Sequence, residues 1–146
     1  GIGQKTTSAS FTKNKSFTSM ESTKTAAQSA LKMSNHTSKD IDVAEIHDAF
    51  SVCEPIALES LGFSDYGKGL DLVDELYETN NFKINPRGGL IGSGHPLGAT
   101  GISQTIEITQ QLQSDAGKRQ VDNANIGLIH NMSAAATSST VLVLEK

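Results

Sequence analysis

The chain has 146 residues, of which 36% are hydrophobic and 19% charged, with a net charge of -4 and a pI near 5.5. That balance excludes a basic nucleic-acid binder, an acidic tail and a collagen-like or disordered chain. No apolar run approaches the roughly 18 residues that cross a bilayer, so neither nucleic acid nor membrane is expected as a partner. The single cysteine, Cys53, excludes a disulfide framework. With no signal-peptide pattern at the start, a reducing, cytoplasmic setting is expected for what reads as one domain over 1–146.

The chain opens Gly1-Ile2-Gly3 without methionine, which suggests a piece of something longer. Its first residues read as the end of a strand, and the rest of 1–18 as a polar Ser/Thr/Lys loop. A helix is predicted from about Ser19. Thr18 and Glu21 stand at capping-box spacing, Ala26, Ala27, Ala30 and Leu31 form its apolar stripe, and Asn35-His36-Thr37 ends it. Residues 41–46 read as a short buried strand that delivers His47-Asp48-Ala49-Phe50. A second helix follows and stops at Gly62. Pro55 lies within it, so either a kink or a start beyond Asp48 is expected, and Asp48 reads as the N-cap. Residues 63–84 are irregular apart from a short helix over 70–77.

The densest punctuation runs from Asn85 to Gly101. Pro96 suits the first position of a helix, which makes His95 its N-cap and carries an apolar face to about Gln113. Ile126–His130 and Ser138–Leu144 read as two closing strands. The order strand, helix, strand, helix, helix, strand, strand argues for a layered α/β fold.

Of the four histidines, His36 sits in a polar loop and reads as a surface residue. His47, His95 and His130 share a placement at strand ends and a helix start, where α/β folds gather their sites. A helix N-terminus disfavours imidazolium, so His95 is expected neutral and ready to act as a base. Gly92, Gly94 and Gly98 miss the dinucleotide fingerprint by one residue, and no Walker lysine follows. The histidines are far apart and have no second cysteine, so no metal site is expected. Cys53 reads as a small hydrophobe rather than a nucleophile.

Asn85-Pro86-x-Gly88-Gly89 followed by Gly94-His95-Pro96-Leu97-Gly98-Ala99-Thr100-Gly101 resembles the signature of the thiolase superfamily. His47-Asp48-Ala49-Phe50 is similar to the block in which many thiolases carry Asn-Glu-Ala-Phe. The histidine form, with His130-Asn131 before the last strand, resembles the sterol-carrier-protein-type and archaeal acetoacetyl-CoA branch. The resemblance runs over 1–146 and implies the C-terminal half of a five-layer α-β-α-β-α fold. The nucleophilic cysteine would belong to an N-terminal half.

The resemblance further implies acyl-CoA acyltransfer of the acetyl-CoA C-acetyltransferase type, by Claisen condensation or thiolysis through an acyl-cysteine. His95 would deprotonate the cysteine, His47 would share an oxyanion hole with it, and His130 would replace an absent acid/base cysteine. Gly94, Asn131 and Ser133 would contact substrate. Acyl-CoA is substrate and no cofactor is implied. The implied partners are the N-terminal half, a second copy of the protein in a homo-oligomer, HMG-CoA synthase and a zinc-containing scaffold protein.

Departures from the pattern are specific. The region where many thiolases hold Cys-x-Gly reads His130-Asn131-Met132-Ser133 here, and Ala49 stands where sterol-carrier-type enzymes can place a cysteine. Two further readings therefore stand beside acyltransfer. One is a retro-aldolase acting on a CoA thioester, and the other is a non-catalytic subunit that binds acyl-CoA or a partner.

Overall fold

The computed structural model describes residues 1–10, 13, 16–79, 81 and 83–146. Parts of two expected irregular stretches, residues 11, 12, 14 and 15 of the opening loop and 80 and 82 of 63–84, lie outside the described residues. In chain order the elements are β1 (Ile2–Thr6), α1 (Glu21–Ser34), β2 (Val43–Glu45), α2 (Cys53–Leu61), α3 (Gly69–Glu78), α4 (Gly89–Ser93), α5 (Thr100–Leu112), β3 (Ile126–Met132) and β4 (Ser138–Glu145).

The four strands form one mixed sheet in the order β1-β4-β3-β2. β1 and β3 flank β4 antiparallel, whereas β2 runs parallel to β3 with Val43 opposite Gly127 and Glu45 opposite Ile129. A parallel neighbour needs a long crossover, and residues 46–125 supply it with four helices. Ile84 extends the sheet by a single parallel bridge to Ala44.

Alternation along the strands divides the core into two layers. Leu128, Met132, Val141 and Val143 face one side and pack with Ala26, Ala27 and Ala30 of α1 and Ala57, Leu58 and Leu61 of α2. Val43 and Ile129 face the other side and pack with Ile108 and Leu112 of α5. α3 lies against α2, with Leu72, Val73 and Leu76 joining the first layer. The result is an α-β-α sandwich, as the element order implied.

Helix ends follow local chemistry where tertiary contacts permit. Asn35 (φ 58°) and Gly62 (φ 86°) take the left-handed conformation that closes α1 and α2, and the next amides, of His36 and Phe63, donate back to Leu31 and Leu58 at 3.0 and 2.9 Å. Pro55 sits in the first turn of α2, where its missing N–H is harmless.

Two expected caps do not form. Thr18 bonds the Tyr66 hydroxyl at 2.7 Å rather than the α1 amides. Met20 is tucked into the core with its N–H on Ser60 Oγ, so α1 starts at Glu21 with no side-chain cap. Asp48 does not cap α2 either. Its Oδ1 accepts the Leu90 amide at 2.6 Å, at the start of the short α4, an element the sequence reading missed.

Candidate active site

β2 ends at Glu45, and Ile46, His47 and Asp48 continue its path as buried residues. The glycine-rich segment is fastened alongside, bond by bond. Ala44 N–H donates to Lys83 O and Asn85 N–H to Ala44 O, both at 2.8 Å, and Ile46 N–H donates to Asn85 Oδ1 at 2.7 Å. Arg87 N–H reaches Glu45 Oε1 at 3.3 Å, and Leu90 N–H reaches Asp48 Oδ1.

Gly89 is required in this seam. Its φ is +60°, and a Cβ there would collide with the Asp48 carboxylate. Beyond α4 the chain turns back and sets the His95 ring edge-on to His47, with centroids 4.8 Å apart and planes at 88°.

The reading of His95 as a helix N-cap is corrected. Pro96 O accepts the amides of Ala99 and Thr100 in a turn, and α5 begins only at Thr100, so His95 stands five residues ahead of the helix. Its orientation comes from Thr100, which is wholly buried and whose Oγ1 lies 2.7 Å from His95 Nδ1. Pro96 O lies 3.4 Å from the same hydroxyl, and when Thr100 donates to that carbonyl, it accepts from His95. That arrangement places the proton on Nδ1 and leaves Nε2 with a free lone pair.

His47 is 4% exposed, with a buried Nδ1 that has no partner among the described residues. Burial first, and the neighbouring His95 second, push its pKa down to about 4, so it is neutral at pH 7. It lines a cavity of about 700 Å³ whose walls include Met20, Phe50, Cys53, Met132 and Ser133. Cys53, at the first turn of α2, is half-buried there and packs against the first core layer.

His130 is fully enclosed, and burial, then His47, lower its pKa to about 3. A chain of hydroxyls assigns its tautomer. Ser22 Oγ–H donates to the Ala136 carbonyl, so Ser139 must donate to Ser22, Thr23 to Ser139, and His130 Nε2–H to Thr23 Oγ1 at 3.1 Å. Nδ1 of His130 is left as a buried acceptor without a partner. In this chain the ring is enclosed and does not line the His47 cavity, and the acid/base role expected of it remains a proposal.

The three substrate-contact residues expected from the sequence are not brought together. Strand alternation turns Asn131 to the opposite face from His130. There its Nδ2 donates to Gln104 Oε1 at 2.9 Å, and it lines a second cavity, of about 620 Å³, between α5 and the sheet. Ser133 borders the His47 cavity, and Gly94 is exposed and lines neither. Sequence reasoning missed the orienting Thr100 and the buried Glu45. The 5-residue step from His95 to Thr100 was the available signal for the first, and an acidic residue inside an apolar strand for the second.

This α-β-α layering, with a glycine-rich segment carrying one histidine against another beyond a parallel strand, defines a thiolase-type domain. Residues 3–146 match the family described as thiolase C-terminal domain-like, and the chain belongs to it.

Among similar proteins, the acetyl-CoA acetyltransferase of Methanothermobacter thermautotrophicus is 40% identical over 131 residues, covering 88% of this chain and 34% of that protein. Human sterol carrier protein 2 is 49% identical over 111 residues, covering 75% of this chain and 20% of its own length. The chain thus spans about a third or less of these relatives. Among solved structures, an Ltp2-ChsH2(DUF35) aldolase superposes with a TM-score of 0.83 at 18% identity, over 99% of this chain and 38% of that one. The peroxisomal 3-ketoacyl-CoA thiolase of Saccharomyces cerevisiae, a five-layered structure of two core domains with identical topology, gives 0.64 at 23% identity, over 100% and 33%. Both share the fold.

Proposed function

We propose that this chain supplies the C-terminal half of an active site for acyl transfer between CoA thioesters, of the acetyl-CoA C-acetyltransferase type. The observation that carries the reading is the pair formed by His95, oriented by a hydrogen bond between its Nδ1 and Thr100, and the neutral His47 in edge contact with it. A free Nε2 lone pair is what a general base needs to take a thiol proton. A neutral imidazole also carries one N–H, so His47 donates to a thioester oxygen as negative charge develops on it.

The thiol itself belongs to an N-terminal half. Leu97, in the turn before α5, and Ile102 and Ile106 on α5 are 80%, 64% and 53% exposed and border the Asn131 cavity with Ile129 and Leu142. An apolar face of this kind suits a covering domain. We place the N-terminal half there, and a second copy of the protein, HMG-CoA synthase or a zinc-containing scaffold protein at other surfaces, to be tested by co-elution.

Retro-aldol cleavage of a β-hydroxyacyl-CoA is the second reading. The observation favouring it is the lack of a thiol around His130–Ser133, since Cys53 is the chain's only cysteine. Deprotonating a β-hydroxyl requires one base and no second thiol.

Product analysis separates the two readings. The chain joined to its cysteine-bearing half is incubated with acetoacetyl-CoA and CoA, and in parallel with a β-hydroxyacyl-CoA. Acyltransfer predicts acetyl-CoA from the first substrate only. Aldehyde or ketone release from the second, with none from the first, assigns the aldolase reaction instead.

A further inference from the structure

Glu45 is the one carboxylate on β2, and it is wholly buried. Its Oε1 accepts the Arg87 amide, and its Oε2 has no partner among the described residues. Two further buried polar atoms in the same seam also lack partners, Asn85 Nδ2 and Arg87 Nε. A buried polar atom left unpaired has lost its water without a replacement hydrogen bond. The seam that delivers His95 to His47 is therefore under-satisfied where Glu45 meets Arg87, whereas the hydrogen bonds of its other rungs are short, at 2.6–2.8 Å.

We infer that Glu45 is a positioning residue for His95: the 85–90 loop is seated while the Glu45 carboxyl is neutral and loosens when that carboxyl ionises. A neutral acid presents a carbonyl oxygen to the Arg87 amide with little desolvation. A carboxylate in the same place must be stripped of water, and unseating the loop rehydrates it. The charged groups around it are Arg87 on the loop, Glu107 on α5, Asp48 beyond β2 and Arg119 after α5. Arg119 is engaged by Glu107 through two of its nitrogens, at 2.9–3.3 Å, so the Glu107 charge is already answered. Only Arg87 is left to favour ionisation of Glu45, against burial, Glu107 and Asp48. Burial, the largest of these influences, raises the Glu45 pKa to about 7, which places the transition in the neutral range.

The consequence for catalysis rests on the reading of His95 as the base, whereas the seating of the loop does not. The experiment separates the two. Amide hydrogen-exchange protection of Arg87 and Leu90 is measured by NMR on the full chain at pH 6 and pH 8, with correction for intrinsic exchange and with Leu128 of β3 as the core reference. Protection of the two loop amides relative to Leu128 falls about tenfold between these pH values, because opening grows about tenfold per pH unit up to the seated carboxyl's pKa of about 7 and levels off above it. Glu45→Gln keeps an acceptor for the Arg87 amide and cannot ionise, so it holds high protection at both pH values. Glu45→Ala loses protection at both.

In the joined enzyme, the wild-type kcat falls between pH 6 and 7 and levels off above that, with KM unchanged, and Glu45→Gln removes that limb. A Glu45→Gln protein that keeps the wild-type pH dependence overturns the inference. So does protection that rises with pH, which would show an Arg87–Glu45 ion pair tightening the loop. A loop result as predicted, with His95→Ala fully active, would leave the positioning intact and remove the acyltransfer reading.

Discussion

His95 acquires its chemistry from a single hydroxyl. Thr100 is the hydrogen-bond partner of Nδ1, and without it several ring orientations become accessible. In the joined enzyme, Thr100→Val is expected to lower kcat by roughly 10-fold to 100-fold with KM nearly unchanged, because substituting the partner that orients a site histidine has about that effect. Thr100→Ser, which keeps the hydroxyl, restores most of the rate. Steady-state kinetics on the two variants checks this, and equal losses in both would assign Thr100 to packing alone.

Three buried titratable groups also give stability a distinctive pH profile. His47 and His130 have pKa values lowered from 6.5 to about 4 and about 3. The unfolded chain therefore binds their protons first, and stability is lost as pH falls below 6.5. Glu45 is raised from 4.5 to about 7, so the folded state holds its proton, and stability is lost as pH climbs from 4.5 through 7. Between pH 4.5 and 6.5 two histidines act against one glutamate, and the net rise corresponds to about one proton per molecule. Glu45→Gln removes the opposing group, so urea denaturation across this window should show a slope nearer two protons. Identical slopes in the two proteins would mean that Glu45 titrates normally.

At the scale of elements, the docking seam between β2 and residues 83–90 decides where the histidines meet. Gly89→Ala combines a left-handed alanine with a side chain driven into Asp48. It should destabilise the domain by about 2 kcal/mol or more in a denaturant titration. Asp48→Asn keeps an oxygen for the Leu90 amide and should cost less than about 1 kcal/mol, against about 1 kcal/mol or more for Asp48→Ala.

Much of the element plan was readable from the sequence, because it rests on local chemistry. Gly62 and Asn35 close helices through backbone geometry that few other residues tolerate, and the apolar runs of β3 and β4 alternate as strands do. What was not readable depended on partners distant in sequence. The Thr18–Glu21 box lost to the burial of Met20, and Asp48 serves α4, some 40 residues on, rather than α2. Grouping His130 with Asn131 overlooked the two-residue period of a strand, which sends them to opposite layers, one to Thr23 and the other to Gln104.

At the scale of the whole molecule, the sheet is covered by α1 and α2 on one face and by α5, with Val121 and Ala124 after it, on the other, and α5 itself turns Ile102 and Ile106 outward. That second face resembles an unfinished layer. The isolated chain is expected to self-associate through it in a concentration-dependent way. Ile102→Lys with Ile106→Glu should shift sedimentation toward monomer, because charges there cannot be desolvated cheaply. An unaltered sedimentation profile would place the contact elsewhere.

The central claim is that His95 is the base that activates a thiol supplied by the other half. It is tested most directly by the rate at which that cysteine becomes acylated. The joined protein and its His95→Ala variant are mixed rapidly with acetoacetyl-CoA, quenched, and the acetyl-cysteine adduct is followed by mass spectrometry. With the intact histidine the adduct is expected to form, and without it to form roughly 10²–10⁴-fold more slowly. An adduct that accumulates equally fast in both proteins would contradict the claim.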